Sequence, residues 1–163
     1  MLCLGLWILI MPVSQAITSD NHLTGDTTNL RFYGVLKRKP CHINGDSLIN
    51  IDFGKVRIKK IDGLNYKQKI PYSITCEEYS PELKLTLAIN GASYFEKSVL
   101  TTTVDGLGLK LLANGADFEM NKPVQINFDS GSLILEAVPV QKPGATLPEK
   151  AFSATATLLA EYL

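Results

Sequence analysis

The sequence predicts an all-β fold, and three observations carry the prediction. Apolar and polar residues alternate with a period of two in several short runs, Asn-Gly and Asp-Gly pairs punctuate those runs, and no segment sustains an apolar repeat of 3.6 residues. The pairs at 44–45, 90–91 and 114–115 (Asn-Gly) and at 62–63 and 105–106 (Asp-Gly) tolerate positive φ and favour tight turns. Short strands at this spacing indicate an antiparallel sandwich or barrel. At 163 residues the chain suits one domain rather than two. Its apolar content of 45% is ordinary for a globular domain and too rich for a disordered chain. Lys+Arg and Asp+Glu are both 16, a balance that argues against a polyanion partner such as nucleic acid.

Residues 1–13 are apolar throughout, and Ser14-Gln15-Ala16 follows with small residues two apart. This pattern reads as a secretory signal peptide over 1–16, cleaved after Ala16. It is too short for a membrane span, which needs about 20 apolar residues. It departs from the signal pattern in having no Lys or Arg before the apolar run; a short uncleaved anchor is the rival reading. Cleavage removes Cys3 and leaves Cys41 and Cys76, an even pair that reads as a disulfide in an oxidising compartment. Closing that loop contributes about 3–4 kcal/mol on the chain-entropy account.

Residues 17–29 are polar and read as a mobile segment. Over 30–36, Leu30, Phe32, Gly34 and Leu36 point one way, and Lys37-Arg38-Lys39 and Pro40-Cys41 follow. Ile49, Ile51 and Phe53 alternate with Leu48, Asn50 and Asp52, and Ile70, Tyr72, Ile74 and Cys76 with Pro71, Ser73 and Thr75. Leu83, Leu85, Leu87 and Ile89 share a face opposite Lys84, Thr86 and Ala88. Further apolar runs occupy 107–113, 124–128 and 132–138, and 141–150, with two prolines and a glycine, reads as a loop before the last strand. That strand, 152–163, places Phe152, Ala154, Ala156, Leu158, Ala160 and Tyr162 on one face and alternates up to Leu163. An apolar strand at the end of the chain leaves an exposed edge unless a partner occupies it.

Little in the sequence speaks for catalysis. His22 and His42 belong to no ligand cluster, and no nucleophile elbow, phosphate loop or dinucleotide fingerprint is present. Two cysteines 35 apart lack the paired spacing of a zinc site. The expectation is a non-enzyme with no cofactor, no metal and no small-molecule substrate. Nine of the sixteen cations lie within 37–69; this strip reads either as a surface for an acidic partner or as a solvated sheet face.

The alternating Phe32-x-Gly34-x-Leu36 before Pro40-Cys41, Asp52-Phe53-Gly54, the second cysteine after Ile74-x, and the Ala154-Thr155-Ala156-Thr157-Leu158…Tyr162 terminus occur in one order. In that order they resemble the subunits of chaperone–usher pili, in particular minor subunits of the P-pilus type. The resemblance implies an incomplete immunoglobulin-like β-sandwich over 38–163 that lacks its last, seventh strand, preceded by an N-terminal extension over 17–37. Residues 30–36 would then be a donor strand, with Leu30, Phe32, Gly34 and Leu36 facing a neighbour's groove. Phe152, Ala154, Ala156, Leu158, Ala160, Tyr162 and Leu163 would form the groove-edge strand that a chaperone grips. The implied partners are a periplasmic pilus chaperone, an outer-membrane usher and neighbouring pilus subunits. Three readings compete with a polymerising subunit: residues 30–36 as the domain's own first strand, a secreted carbohydrate-binding module, and a pilus-terminating subunit with a blocked groove.

Overall fold

The computed structural model describes residues 25–37, 40–77, 84–127 and 133–162. The expected signal peptide, His22, Arg38, Lys39 and Leu163 lie outside the described residues. The chain divides into two units, with the boundary between Leu36 and Lys37. In the first, residues 25–36 form neither helix nor strand.

The second unit is all-β. Strand β1 (Cys41–Ile43) is followed by a 3-10 turn at Asn44–Asp46 and an extended run that ends in a second 3-10 turn at Ile58–Lys60. Next come β2 (Gln68–Lys69) and β3 (Ile74–Cys76); of the alternation expected over 70–76, only the last three residues form a strand. Pro71, which has no N–H to give to a ladder, stands at the break. The strands on either side of it join different partners: β3 pairs antiparallel with β1, and β2 pairs with β9 (Leu135–Gln141). Cys41 and Cys76 are direct cross-strand partners, and the expected disulfide joins them.

Strands β4 (Leu85–Asn90), β5 (Val99–Thr101), β6 (Leu107–Ala113), β7 (Ala116–Asp117), β8 (Val124–Ile126) and β10 (Thr157–Tyr162) complete the set. Besides the two-stranded β1-β3 sheet, one sheet has the order β10-β4-β8 and another β2-β9-β6-β5, with β7 attached to β6. The β6–β7 hairpin turns on Asn114 (φ 51°) and Gly115 (φ 80°), two consecutive left-handed residues as the Asn-Gly signal predicts. At 90–91 the outcome differs: Gly91 has no positive φ, and a Cβ there would approach Leu100 to 2.8 Å. That glycine serves close packing, not a left-handed turn.

The two sheets enclose a core of Leu87 and Ile89 from β4, Leu109 and Leu111 from β6, Leu135 and Ala137 from β9, with Leu100, Phe118 and Met120. Strand β4 is buried on both faces: Thr86 and Ala88 are covered as fully as Leu85, Leu87 and Ile89. The alternation had suggested a polar outer face, but these two short side chains sit in a central strand flanked by β10 and β8. Strand β9 begins three residues later than the apolar run at 132–138 and passes through Pro139. Pro139 is opposite Leu109, beyond the short stretch where β2 pairs with β9, so its missing donor interrupts little.

Candidate functional site

Two extended segments run along an opening in the second unit. The first wall is 46–61. Its odd positions Ile49, Ile51 and Phe53 turn inward, and after Gly54 (φ 59°) the phase shifts, so that Val56 and Ile58 turn inward instead. The left-handed glycine lets one residue be skipped without flipping the later apolar side chains to the surface. Asp52 stabilises this corner, its Oδ1 accepting from the Gly54 N–H at 2.8 Å.

The second wall is 147–160. The expected terminal strand over 152–163 forms a ladder only from Thr157, because its partner β4 ends at Asn90, directly opposite. Residues 151–156 continue as a wall without a ladder. Ser153 holds it in place: Thr103 N–H donates to the Ser153 carbonyl at 2.9 Å, and Ser153 N–H donates to Thr103 Oγ1 at 3.0 Å. Strand β10 then pairs with β4 on one side only, so it is the edge of its sheet. An edge strand presents a row of backbone donors and acceptors to any chain laid beside it.

Between the walls lies a groove of about 1730 Å³, floored by core side chains including Ile70, Ile89, Leu100, Leu109 and Ala137. Phe53 and Phe152 meet across it, ring centroids 5.9 Å apart and tilted by 44°. The groove is thus apolar below and flanked by backbone, with Lys55, Arg57, Lys59 and Lys60 exposed along the first wall. This geometry suits an extended peptide, which would supply backbone pairing along the edge and alternate side chains to the floor.

Of the residues assigned to the terminal strand, Phe152, Ala154, Leu158 and Ala160 pack against the core, Tyr162 is half-buried and Ala156 is exposed. Of those assigned to the donor strand, Leu30 is 75%, Phe32 88% and Leu36 103% exposed, and a Cβ built on Gly34 would meet nothing within 4 Å. Sequence reasoning did not single out Ile49, Ile51, Phe53, Val56 and Ile58 as a wall. The available signal was a regular apolar alternation whose phase slips at a glycine.

His42 lies beside the disulfide. Its Nδ1–H donates to Asp46 Oδ2 at 2.8 Å and its Nε2 stands 3.8 Å from Glu77 Oε1, an exposed structural arrangement at the foot of the first wall. Among the described residues no three His, Cys, Asp or Glu side chains are grouped so as to hold a metal ion.

Residues 30–162 match the fimbrial protein family. The chain is 34% identical to the fimbrial-like protein YfcQ of Escherichia coli strain K12, over 96% of this chain and 97% of that protein. It is 30% identical to the fimbrial-like protein YfcR of the same strain, over 76% of this chain and 73% of the other. Its fold is similar to that of the P pilus adaptor subunit PapF (TM-score 0.57, 20% identity, covering 78% of this chain and 98% of PapF). It is also similar to that of the P pilus rod subunit PapA (TM-score 0.57, 19% identity, 83% and 100%). The immunoglobulin-like pilin fold expected from the sequence is therefore the fold this chain has.

Proposed function

The chain belongs to the fimbrial protein family and is a structural subunit of a pilus; from that premise we propose that it polymerises by donating one strand and accepting another. The observation that carries the proposal is the groove of about 1730 Å³, with core side chains for a floor and the edge strand β10 along one side. On this reading a neighbour's strand occupies the groove and completes the sandwich. Residues 30–36 fill the corresponding groove of the preceding subunit. Their apolar side chains are exposed within this chain and form no ladder, which favours donation over a role as the domain's own first strand. Burying Leu30, Phe32 and Leu36 in a neighbour would contribute about 1.5–3 kcal/mol each.

Before assembly the groove needs a temporary occupant, because its floor is apolar. A periplasmic chaperone lends a strand along 152–163, and the outer-membrane usher exchanges it for the next subunit. The polar stretch at 17–29 ahead of the donor favours a minor subunit over a rod subunit. The finished fibre lies at the cell surface and supports adhesion.

The test is expression of the chain in a periplasm with and without a matching chaperone. Chaperone-dependent recovery is expected, and a stable soluble monomer without chaperone would sink the proposal. In the same system Gly34→Leu should leave chaperone binding intact and block donation to the preceding subunit. Normal incorporation of that variant would show that the donor strand lies elsewhere.

A further inference from the structure

Among the described residues, no ion pair engages the cations along the first wall. Lys55 and Arg57 are exposed on its outward face, alternating with the inward Val56 and Ile58, and Lys59 and Lys60 follow in the 3-10 turn. Among the described residues the ion pairs of the sandwich engage Lys67, Lys97, Lys110 and Lys122 and none of these four. The carboxylates closest in sequence are engaged elsewhere: Asp52 by the Gly54 amide, Asp46 by His42, and Asp62 by the amides of Leu64 and Asn65. On the facing wall Glu149 and Lys150 are adjacent and offset each other, and 151–157 carries no charge.

A strand lying between the walls sends alternate side chains to the floor and the others outward, beside the outward residues of its two flanking segments. Its outward side chains therefore stand next to Lys55 and Arg57 on one flank and next to neutral residues such as Ser153 and Thr155 on the other. Opposite charges in such cross-strand positions stabilise, and like charges destabilise. The chain's own donor is a poor match. With Leu30, Phe32, Gly34 and Leu36 inward, its outward set is Arg31, Tyr33, Val35 and Lys37, two cations and no carboxylate.

We propose that the groove selects its occupant by charge. It takes a donor strand from a different subunit, apolar at inward positions and carrying carboxylates at outward ones, and it discriminates against residues 30–37 of a second copy of this chain. The inference rests on the acceptor reading above and adds to it the chemistry of the partner. Its consequence is that the subunit sits between unlike neighbours in the fibre and does not stack on itself.

The test refolds the full chain, signal removed, in an equimolar mixture of two synthetic peptides and counts the complexes by native mass spectrometry. One peptide is residues 25–37 of this chain; the other is the same segment with Arg31→Glu and Lys37→Glu, which keeps the inward face unchanged. At low salt the acidic peptide should dominate by roughly tenfold, and the excess should collapse at about 1 M salt, where the screening length is about 3 Å. Lys55→Glu with Arg57→Glu in the receiving chain should reverse the preference. If that variant fails to fold, Lys55→Gln with Arg57→Gln should abolish it. Equal loading of both peptides at low salt, or a preference unmoved by these substitutions, overturns the charge rule and leaves strand acceptance standing. Loading of neither peptide overturns acceptance itself, and the charge rule with it.

Discussion

Strand β6 and the 46–61 wall carry the same kind of sequence and end in opposite states. In β6, Leu107, Leu109 and Leu111 are buried, with β5 along one edge and β9 along the other. In the wall, Ile49, Ile51, Phe53, Val56 and Ile58 alternate in the same way yet stay half-exposed, because among the described residues no strand lies between them and the facing segment. An alternating pattern earns burial only when a neighbouring strand closes over it. Half-burial of five such side chains leaves about 5 kcal/mol unrealised until an occupant arrives. On the proposed reading, the closed side holds the subunit together and the open side stores the driving force for assembly.

The largest expected effect is on the closed side. Leu87, with 0% exposure in the central core, should lose about 2–5 kcal/mol of unfolding free energy as Leu87→Ala, measured by denaturant titration of the occupied subunit. An effect near zero would mean that the core lies elsewhere. Next comes the anchor of the open wall. Replacing Cys41 and Cys76 together by Ser should cost about 2–5 kcal/mol, since the disulfide ties β1, where the wall begins, to β3.

A smaller and conditional effect belongs to the wall itself. Ile51→Ala should cost about 1 kcal/mol with the groove empty and up to about 2–3 kcal/mol with a strand bound, read from paired titrations. Equal costs in the two states would remove Ile51 from the binding surface. The smallest effect is electrostatic and again on the closed side. The Tyr94 hydroxyl donates to Asp105 Oδ1 at 2.6 Å and, with lesser help from the Gly106 amide and Lys142, holds that carboxyl below the usual carboxylate range. A depressed folded value means stability that is present above the ordinary carboxylate range and lost as pH falls through the lowered value. Asp105→Asn should flatten that acid-side loss in a pH series of melting curves. An unchanged slope would show that the turn makes no contribution.

Most of the sandwich was legible because its signals are local. The run at 107–113 coincides with β6, and Asn114-Gly115 takes the left-handed turn its composition requires. The cysteine pair was legible from the even count left once a signal peptide over 1–16 is set aside, and it is formed. The misreadings were all places where a distant partner decided the outcome. The alternation over 70–76 becomes a ladder only from Ile74, past Pro71, β9 starts late and runs through Pro139, and the ladder of the last strand waits for Thr157 because β4 ends at Asn90. The groove was only half visible. Its 152–162 side was marked by the apolar terminal alternation, but nothing local paired it with 46–61.

Period, turn chemistry and apolar content thus settle the all-β class, the hairpin at 114–115 and the apolar alternation of 30–36 from the chain alone, since each depends on a residue and its immediate neighbours. Only the packed structure brings Phe53 to Phe152, sets 46–61 opposite 147–160, and places Lys55 and Arg57 on the rim of an apolar groove. The basic strip could be counted in the sequence but not interpreted. A charge acquires a partner only when the fold decides what stands beside it.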